Sequence, residues 1–533
     1  MAERGKWRPL PFIALGVAMI IVDATIVNVA IPAMIRTIGL TTTDAEWVNA
    51  TYSLVFAALL LTVGRLGDAY GRRRMFLIGT FIFVLASVIA AAAPSPGVLI
   101  TGRIIQGVGG ALLLPSSLST VNALYQGKDR GIAFAIWGST IGGAAALGPL
   151  LGGWLTSAFT WRWAFLINLP IGAIVAYGVA RFVPETSDPD TPRGIDVTGA
   201  LLSTLGFASL VFALIESQRF GWWHADPAVV RSGLGFSLGS TAPSPIAAAV
   251  AIVCLVIFLA RERTRADRGK PVLVDLKLFS IRSFALGNVA AMIVSLGEFG
   301  ILFSLPLFLQ SALGYSALKA GGVLAVLAVG TFLSSPFSAR IASSRGPRTV
   351  VRIGLLLEAL AIGAIALVAS TTMTVWVLSI ALLVYGVGVG FATAQLTGVI
   401  LVDVPVAQSG QAAAVQSTSR QVGAALGTAI LGAILVGVLG HDVSTGLSSG
   451  GSSPAVANHF ADLIKQSPTL AKSLLVGLPD RVGATRVVDQ AFVHSVRLVA
   501  SAAAGWILLG LLATLALPRS QAKPMIDQAE ASR

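Results

Sequence analysis

The chain of 533 residues is 55% hydrophobic and only 11% charged, with a formal net charge of +13. That balance excludes an ordinary water-soluble domain and predicts an integral membrane protein. The single cysteine, Cys254, excludes an intramolecular disulfide and a cysteine-held metal cluster. The four histidines, His224, His441, His459 and His494, fall in polar connections without ligand spacing, so no metal site is expected.

Because about 20 apolar residues cross a bilayer as a helix, about fourteen spans are predicted. They lie near 12–34, 46–64, 75–93, 98–120, 131–155, 162–181, 198–216, 244–261, 284–306, 318–339, 350–370, 373–395, 411–439 and 492–517. The first, behind Lys6 and Arg8, has the look of a signal-peptide core, but the many comparable runs that follow make it a span. With both termini on one side, the connections there hold about 25 Lys and Arg against about 9 on the other, which makes that side the cytoplasm. The excess positive charge is thus loop charge, and no nucleic-acid partner is expected. The densest basic cluster, RERTRADRGK (261–270), reads as a topology signal that can also hold anionic lipid.

Two long polar segments face the other side, Glu216 to Pro243 and His441 to Gln490. The second, 441–490, combines a Gly/Ser tract with HFADLIKQSPTLAKSLLVGL, which reads as one or two short surface helices. A solvated connection is the default for it, and a lid or docking element the alternative.

The first span contains a carboxylate, Asp23, in VDATIVNVAIP (22–32). Shifting the chain by 275 residues without a gap superposes Asp23 on Glu298, Gly39 on Gly314, Gly71 on Gly346, Gly148 on Gly423 and Gly152 on Gly427. One register serving all five predicts two homologous six-helix halves. The division expected is an N-terminal half (1–182), two inserted spans with their linkers (183–283), a C-terminal half (284–517) and a cytoplasmic tail (518–533). Parallel half-repeats of six spans are the architecture of the major facilitator transporters, with the substrate between the halves near mid-membrane.

Between spans two and three, GRLGDAYGRRR (64–74) combines turn glycines Gly64 and Gly71 with Asp68, Arg72, Arg73 and Arg74. Asp68 can face a helix N-terminus, where negative charge is favoured, and the arginines can pair with carboxylates, so the segment suits a latch between helices. Its repeat mate, ARIASSRGPRT (339–349), has Ser343 in place of Asp68, so the latch is asymmetric. LITGRIIQGVGGA (99–111) places Arg103 inside span four, where a cation needs a partner or water unless it snorkels to the surface. GSTIGGAAALGPLLGG (138–153) in span five brings Gly148, Pro149, Gly152 and Gly153 together, as a hinge or as a tight seam.

DATIVNVAIP, GRLGDAYGRRR, the RIIQG stretch, GPLLGG and TWRWAFLINLPIG (160–172) resemble the signature motifs of the 14-helix drug:proton antiporter family of the major facilitator superfamily. FLQSALGYSALKAG (308–321) and STSRQVGAALGTAI (417–430) resemble that family's second half. Ala69 stands where the loop motif usually has arginine, and Ala144 where a glycine is usual. The resemblance implies an all-α membrane protein of 14 transmembrane helices, in two six-helix halves plus two inserted helices. It also implies a multidrug efflux transporter of the bacterial inner membrane, with both termini cytoplasmic, driven by the proton gradient without a cofactor. Small amphipathic substrates, protons and membrane lipids are the partners it implies, for a monomer and not for an enzyme.

In that fold the first helix of each half lines the central cavity. Asp23, Arg103 and Glu298 are therefore the expected proton-coupling residues, since intramembrane charges are too expensive for packing. Glu298 is also the candidate for the cationic part of a substrate, with Tyr52, Trp137, Phe299, Phe303 and Phe391 as stacking surfaces. Gly64, Asp68, Gly71, Arg72 and Arg73 form the expected conformational latch, and Gly148, Pro149, Gly152 and Gly153 the hinge. Glu358 and Arg420 are intramembrane charges of unassigned role: Glu358 as a buried acid or a transport residue, Arg420 facing the Asp68 region or the cavity. A dedicated exporter of one endogenous compound, such as a lipid, siderophore or antibiotic, is the second reading. A membrane-embedded lipid enzyme needs a His, Ser or carboxylate cluster at one interface, which the sequence lacks, and there is no GxxxxGK[ST] loop for ATP.

Overall fold

A computed structural model describes residues 6–40, 42–187, 196–225, 227–234, 239–405, 408–466, 475 and 480–516. The expected tail at 518–533 lies outside the described residues, as do parts of the first linker and of the 441–490 segment. The N-terminal helices are α1 (Pro9–Ile38), α2 (Thr42–Tyr70), α3 (Arg72–Ala92), α4 (Pro96–Leu124), α5 (Gly127–Ala158), α6 (Trp163–Leu166) and α7 (Asn168–Phe182). Next come α8 (Val197–Phe220), α9 (Pro227–Leu234) and α10 (Pro243–Asp267). The remainder are α11 (Arg282–Leu307), α12 (Ala317–Arg345), α13 (Pro347–Val368), α14 (Val375–Leu401), α15 (Ser409–Ser449), α16 (Pro454–Gln466) and α17 (Arg481–Leu515). Twelve spans are unbroken helical stretches, and the bent α5 and α12 bring the number to 14. The protein is an all-α membrane protein.

Several helices start with proline at the first turn, α1, α4, α10 and α13 among them, where the missing N–H has no intrahelical partner to lose. Proline acts differently inside α5. The segments Asp129–Ala145 and Leu147–Ala158 meet at 42°. Pro149 has no amide hydrogen for the carbonyl of Ala145, and its ring crowds that carbonyl, so the helix bends there. In α12 the bend between Leu318–Ser334 and Phe337–Arg345 is 43°.

Glycines paired at the 275 offset share backbone geometry. Gly39, which caps α1, and Gly314, which follows the π-helical turn Phe308–Ala312 that continues α11, both have φ +67°, while Gly71 and Gly346 have φ +106° and +84° at the starts of α3 and α13. These left-handed values favour glycine at all four places. Close packing repeats as well. A Cβ on Gly152 would stand 2.7 Å from the carbonyl oxygen of Ile26, and Gly423 and Gly427 press in the same way on the carbonyls of Met292 and Leu296. These glycines let α5 close on α1 and α15 close on α11. The two helices without a repeat mate, α8 and α10, pack on each other, and α8 also rests on α2 and α15, one helix from each half.

The 441–490 segment differs from the expected solvated connection. The helix of α15 continues to Ser449 and α17 already begins at Arg481. Val443 and Leu447 extend the buried stripe of α15, and α16 covers it with Ala457, Ala461 and Ile464. Apolar spacing that runs past the membrane window therefore sustains helix beyond the span.

Candidate functional site: two buried acid–arginine pairs and a cavity

Polar contacts between the halves gather at the face where α1 begins. Asp68, near the end of α2, accepts hydrogen bonds from the backbone N–H of Gly410 at 2.9 Å and Gln411 at 3.0 Å, at the N-terminus of α15. Arg72 holds the same carboxylate from one turn away, with Nη2 at 2.8 Å and Nε at 3.2 Å. Gly64 makes the approach feasible, since a Cβ there would stand 2.6 Å from the oxygen of Gly410. Nearby, Asn122 donates to Ser409 at 2.7 Å and Gln395 to the carbonyl of Gly131 at 3.3 Å. Arg73 turns elsewhere: its guanidinium donates to the carbonyl of Ala180, and the Glu185 carboxylate accepts from the amides of Arg73 and Arg74. The φ +106° of Gly71 makes the turn that brings those amides to Glu185. Arg73 thus ties α3 to α7 within one half.

The same face anchors the unrepeated pair. Arg261 on α10 grips Asp196, at the start of α8, with two hydrogen bonds of 2.8 and 2.9 Å, and Arg265 adds an ion pair at 3.2 Å. The Arg261 hydrogen bond holds the Asp196 carboxyl below the usual carboxylate range.

Inside the N-terminal half, Asp23 meets Arg103 of α4 at 2.5 Å, with neither side chain reaching solvent. Gln106 and Asn168 donate to the other carboxylate oxygen at 3.0 and 2.8 Å, and both also reach Ser87 of α3. Arg103 also donates to Gln106 and, through Nε, to the carbonyl of Val48, and its guanidinium lies 4.4 Å from the ring centre of Tyr52. The arginine is fully buried, so it does not snorkel. Every partner is internal to one half. This corrects the expectation that Asp23 lines the cavity: its carboxylate points between α3, α4 and α7, because those helices carry the donors that make burying a charge affordable.

The cavity itself holds about 400 Å³ and is bounded by α1, α5, α11, α12, α14 and α15. Its wall is mostly apolar, with Leu302, Leu324 and Val389, and it includes Phe299, Phe303 and Pro149. Glu298 and Arg420 supply its charge. Their contact is loose, Nη2 to Oε2 at 3.4 Å, and Thr393 donates to the other oxygen at 3.4 Å. Arg420 therefore faces the cavity and not the Asp68 region.

Three of the expected stacking residues are elsewhere. Tyr52 covers Arg103, Trp137 is buried with its indole N–H on Ser117, and Phe391 packs toward Gly354 of α13. In helices that are apolar all round, the sequence marks aromatic residues without showing which side meets the cavity. Glu358 is also absent from the cavity wall; its side chain lies against Gly388 of α14, fully buried. Gln106, Asn168, Ser87, Thr393 and Tyr385 were not foreseen. Gln106 and Asn168 stood inside motifs already singled out, as amides in apolar helices, and that was the available signal.

Two helix bundles closing on one face around a central cavity, one acid–arginine pair on the cavity wall and another inside the N-terminal bundle, have the architecture of a membrane transporter and not of an enzyme. The chain belongs to the Major Facilitator Superfamily, which matches residues 13–428. It is 33% identical over 460 residues, 84% of this chain and 75% of the relative, to a probable actinorhodin transporter of Streptomyces coelicolor. It is also 33% identical over 429 residues, 80% of each chain, to the multidrug efflux pump LfrA of Mycolicibacterium smegmatis. The crystal structure of the human organic anion transporter MFSD10 shares the fold, with a TM-score of 0.59 at 14% identity over 96% of this chain and 99% of that one.

Proposed function

We propose that the protein exports lipophilic and cationic small molecules in exchange for protons, by alternating access across a bacterial cytoplasmic membrane with both termini inside. The observation that carries this reading is the loose Glu298–Arg420 pair in an otherwise apolar cavity flanked by Phe299 and Phe303. A cationic aromatic substrate fits that wall: its rings face Phe299 and Phe303 and its charge draws the Glu298 carboxylate away from Arg420. A proton on Glu298 removes the same attraction. Proton and cation thus compete for one carboxylate, and competition at a site that opens to alternate sides is antiport. In this scheme two homologous halves, 1–182 and 284–517, rock about the cavity while the inserted pair within 183–283 stays with the seam between α2 and α15. Asp68 latches the cytoplasmic face, the Pro149 bend absorbs the motion, and no cofactor takes part. The names of the relatives support an export role, and that of the actinorhodin transporter favours a second reading, export of one endogenous antibiotic-like compound.

The test is ethidium movement in energised inverted vesicles, with and without a protonophore. Uptake that collapses with the protonophore, and is lost in Glu298→Gln, is expected. Uptake that is indifferent to both would remove the proposal.

A further inference from the structure

Glu358 stands apart from every other intramembrane carboxylate. It is fully buried on α13, outside the cavity wall, and neither carboxylate oxygen has a hydrogen-bond partner among the described residues. An ionised carboxylate does not persist in such a place, whereas a neutral one does. The charged groups of the adjoining cavity are Glu298 of α11 and Arg420 of α15. One arginine, permanently charged, serves two acids. Glu298 holds Arg420 and Thr393, so the proton belongs on Glu358.

Among the described residues, the remaining elements packed on α13 present no other charge at this depth. On α17, Arg497 is committed to the carbonyl of Ala369, past the outer end of α13, and Arg352 of α13 itself reaches Thr514 near the opposite end. Arg340 and Arg345 of α12 fall in the last turns of that helix. From α14 comes Tyr385, one turn before Gly388, the glycine that makes room for Glu358. Tyr385 lines the cavity together with Glu298, and its hydroxyl is buried without a hydrogen-bond partner among the described residues.

The repeat gives the arrangement a precedent in the same molecule. At the 275 offset Glu358 corresponds to Phe83, one turn from Ser87. In the N-terminal half a polar layer crosses from α1 through Gln106 of α4 to Ser87 of α3, closed by hydrogen bonds. In the C-terminal half the corresponding helices carry Glu298, Tyr385 and Glu358, and that layer is open.

We infer that Glu358 is a second proton-binding site, which stores a proton behind the cavity wall and exchanges it with Glu298 through the hydroxyl of Tyr385. In the transfer, the Tyr385 hydroxyl, which touches neither acid in this state, moves within hydrogen-bond distance of both, gives its proton to the Glu298 carboxylate and takes the carboxyl proton of Glu358. Tyr385 ends unchanged, Glu298 neutral and Glu358 ionised, with Arg420 released from Glu298 to act on Glu358. The inference rests on the proton-antiport reading, but the protonation of Glu358 can be read without transport.

The first arm is infrared difference spectroscopy of the full-length protein in liposomes, observing the C=O stretch of buried protonated carboxyls near neutral pH. A band present in wild type and in Glu298→Gln, and missing in Glu358→Gln, is expected; its persistence in Glu358→Gln overturns the assignment. The second arm is ethidium movement in the same liposomes. Glu358→Gln, which mimics the neutral acid and preserves packing, and Tyr385→Phe are each expected to lose about tenfold or more of pH-gradient-driven uptake while keeping ethidium–ethidium exchange. Gradient-driven uptake at the wild-type rate in either variant overturns the relay. If wild type itself shows no gradient-driven uptake, antiport fails, and the infrared arm still decides whether Glu358 holds a proton.

Discussion

Asp23 and Arg103 form a fully buried ion pair at 2.5 Å whose every further hydrogen bond stays within one half of the molecule. Glu298, its repeat mate, instead faces the cavity with a partner at 3.4 Å. The two acids occupy equivalent places in the chain and opposite situations in space. The N-terminal pair is closed in by further donors at 2.8 and 3.0 Å, and the C-terminal one is loosely held. Breaking a buried pair by deleting one partner costs about 3–5 kcal/mol, because the other charge is left stranded. Arg103→Ala is therefore expected to lower the thermal unfolding temperature sharply in detergent. Asp23→Asn strands the Arg103 charge in the same way, so it too should unfold below the wild-type temperature, while the folded protein exports ethidium with altered pH dependence. Wild-type pH dependence in Asp23→Asn would take Asp23 out of proton coupling.

The latch gives a second expectation. Asp68 accepts two backbone N–H groups at a helix N-terminus and holds Arg72, and hydrogen bonds to a charged group contribute about 1.5–3 kcal/mol. Asp68→Asn should shift the balance toward opening of that face by about tenfold or more. With the single native thiol removed as Cys254→Ser, a reporter introduced as Ala414→Cys, opposite Gly64, would label faster with a maleimide in the Asp68→Asn background. Equal labelling rates would show that the carboxylate does not hold the face closed. Gly64→Val should produce the same acceleration by crowding Gly410.

Phe299 and Phe303 are about 40% and 38% exposed and line the cavity on the same helix as Glu298, so the proposed function makes them aromatic surfaces that a substrate meets. Cation–π attraction to a partly desolvated ring is worth about 0.5–2 kcal/mol. Phe303→Ala is expected to weaken ethidium binding, read by fluorescence anisotropy, by about threefold to tenfold. Phe391→Ala should leave the Kd unchanged, since Phe391 is not part of the cavity wall; the opposite ranking would move the substrate to a different wall.

The repeat was legible because it is written in glycine and charge. The φ > 0 turns at Gly39, Gly71, Gly314 and Gly346 require a residue type that sequence displays directly, and an acid in an apolar helix is hard to miss. The facing of aromatic residues was not legible. An intramembrane helix is apolar on its lipid side, its core side and its cavity side, so Tyr52, Trp137 and Phe391 look alike in sequence and differ only after packing. Arg420 was visible as a charge, but its partner was not, because Glu298 lies 122 residues away and only the closure of α15 on α11 brings them together.

Asp196 gives a pH expectation with a definite sign. Its folded carboxyl is held below the unfolded value by the Arg261 hydrogen bond. The group therefore contributes stability that is present above about pH 4, the unfolded range, and is lost as pH falls through the lower folded value. Thermal unfolding of Asp196→Asn in detergent should be depressed relative to wild type near neutrality, and the gap should narrow as pH drops below about 4. A gap that stays constant into acid would mean that the Asp196–Arg261 charge contributes nothing to holding α8 and α10 together.

Pro149 sets stability against movement. A proline inside a helix costs about 3 kcal/mol relative to alanine, so evolution has had a cheaper residue at hand for a helix meant to be straight. Its position is informative: it lies on the cavity wall, and the glycines at 148 and 152 around it pack against α1, so a bend there moves α5 against the helix that carries Asp23. Pro149→Ala restores an amide donor to the Ala145 carbonyl and relieves the crowding behind the 42° bend. The variant is expected to unfold at a higher temperature and to bind ethidium with unchanged Kd. Its turnover in gradient-driven uptake should fall severalfold, because the straighter helix resists the motion that opens the cavity to the other side. Faster turnover together with higher stability would make the bend a packing compromise and place the moving joint elsewhere, with the 43° bend of α12 the next position to examine.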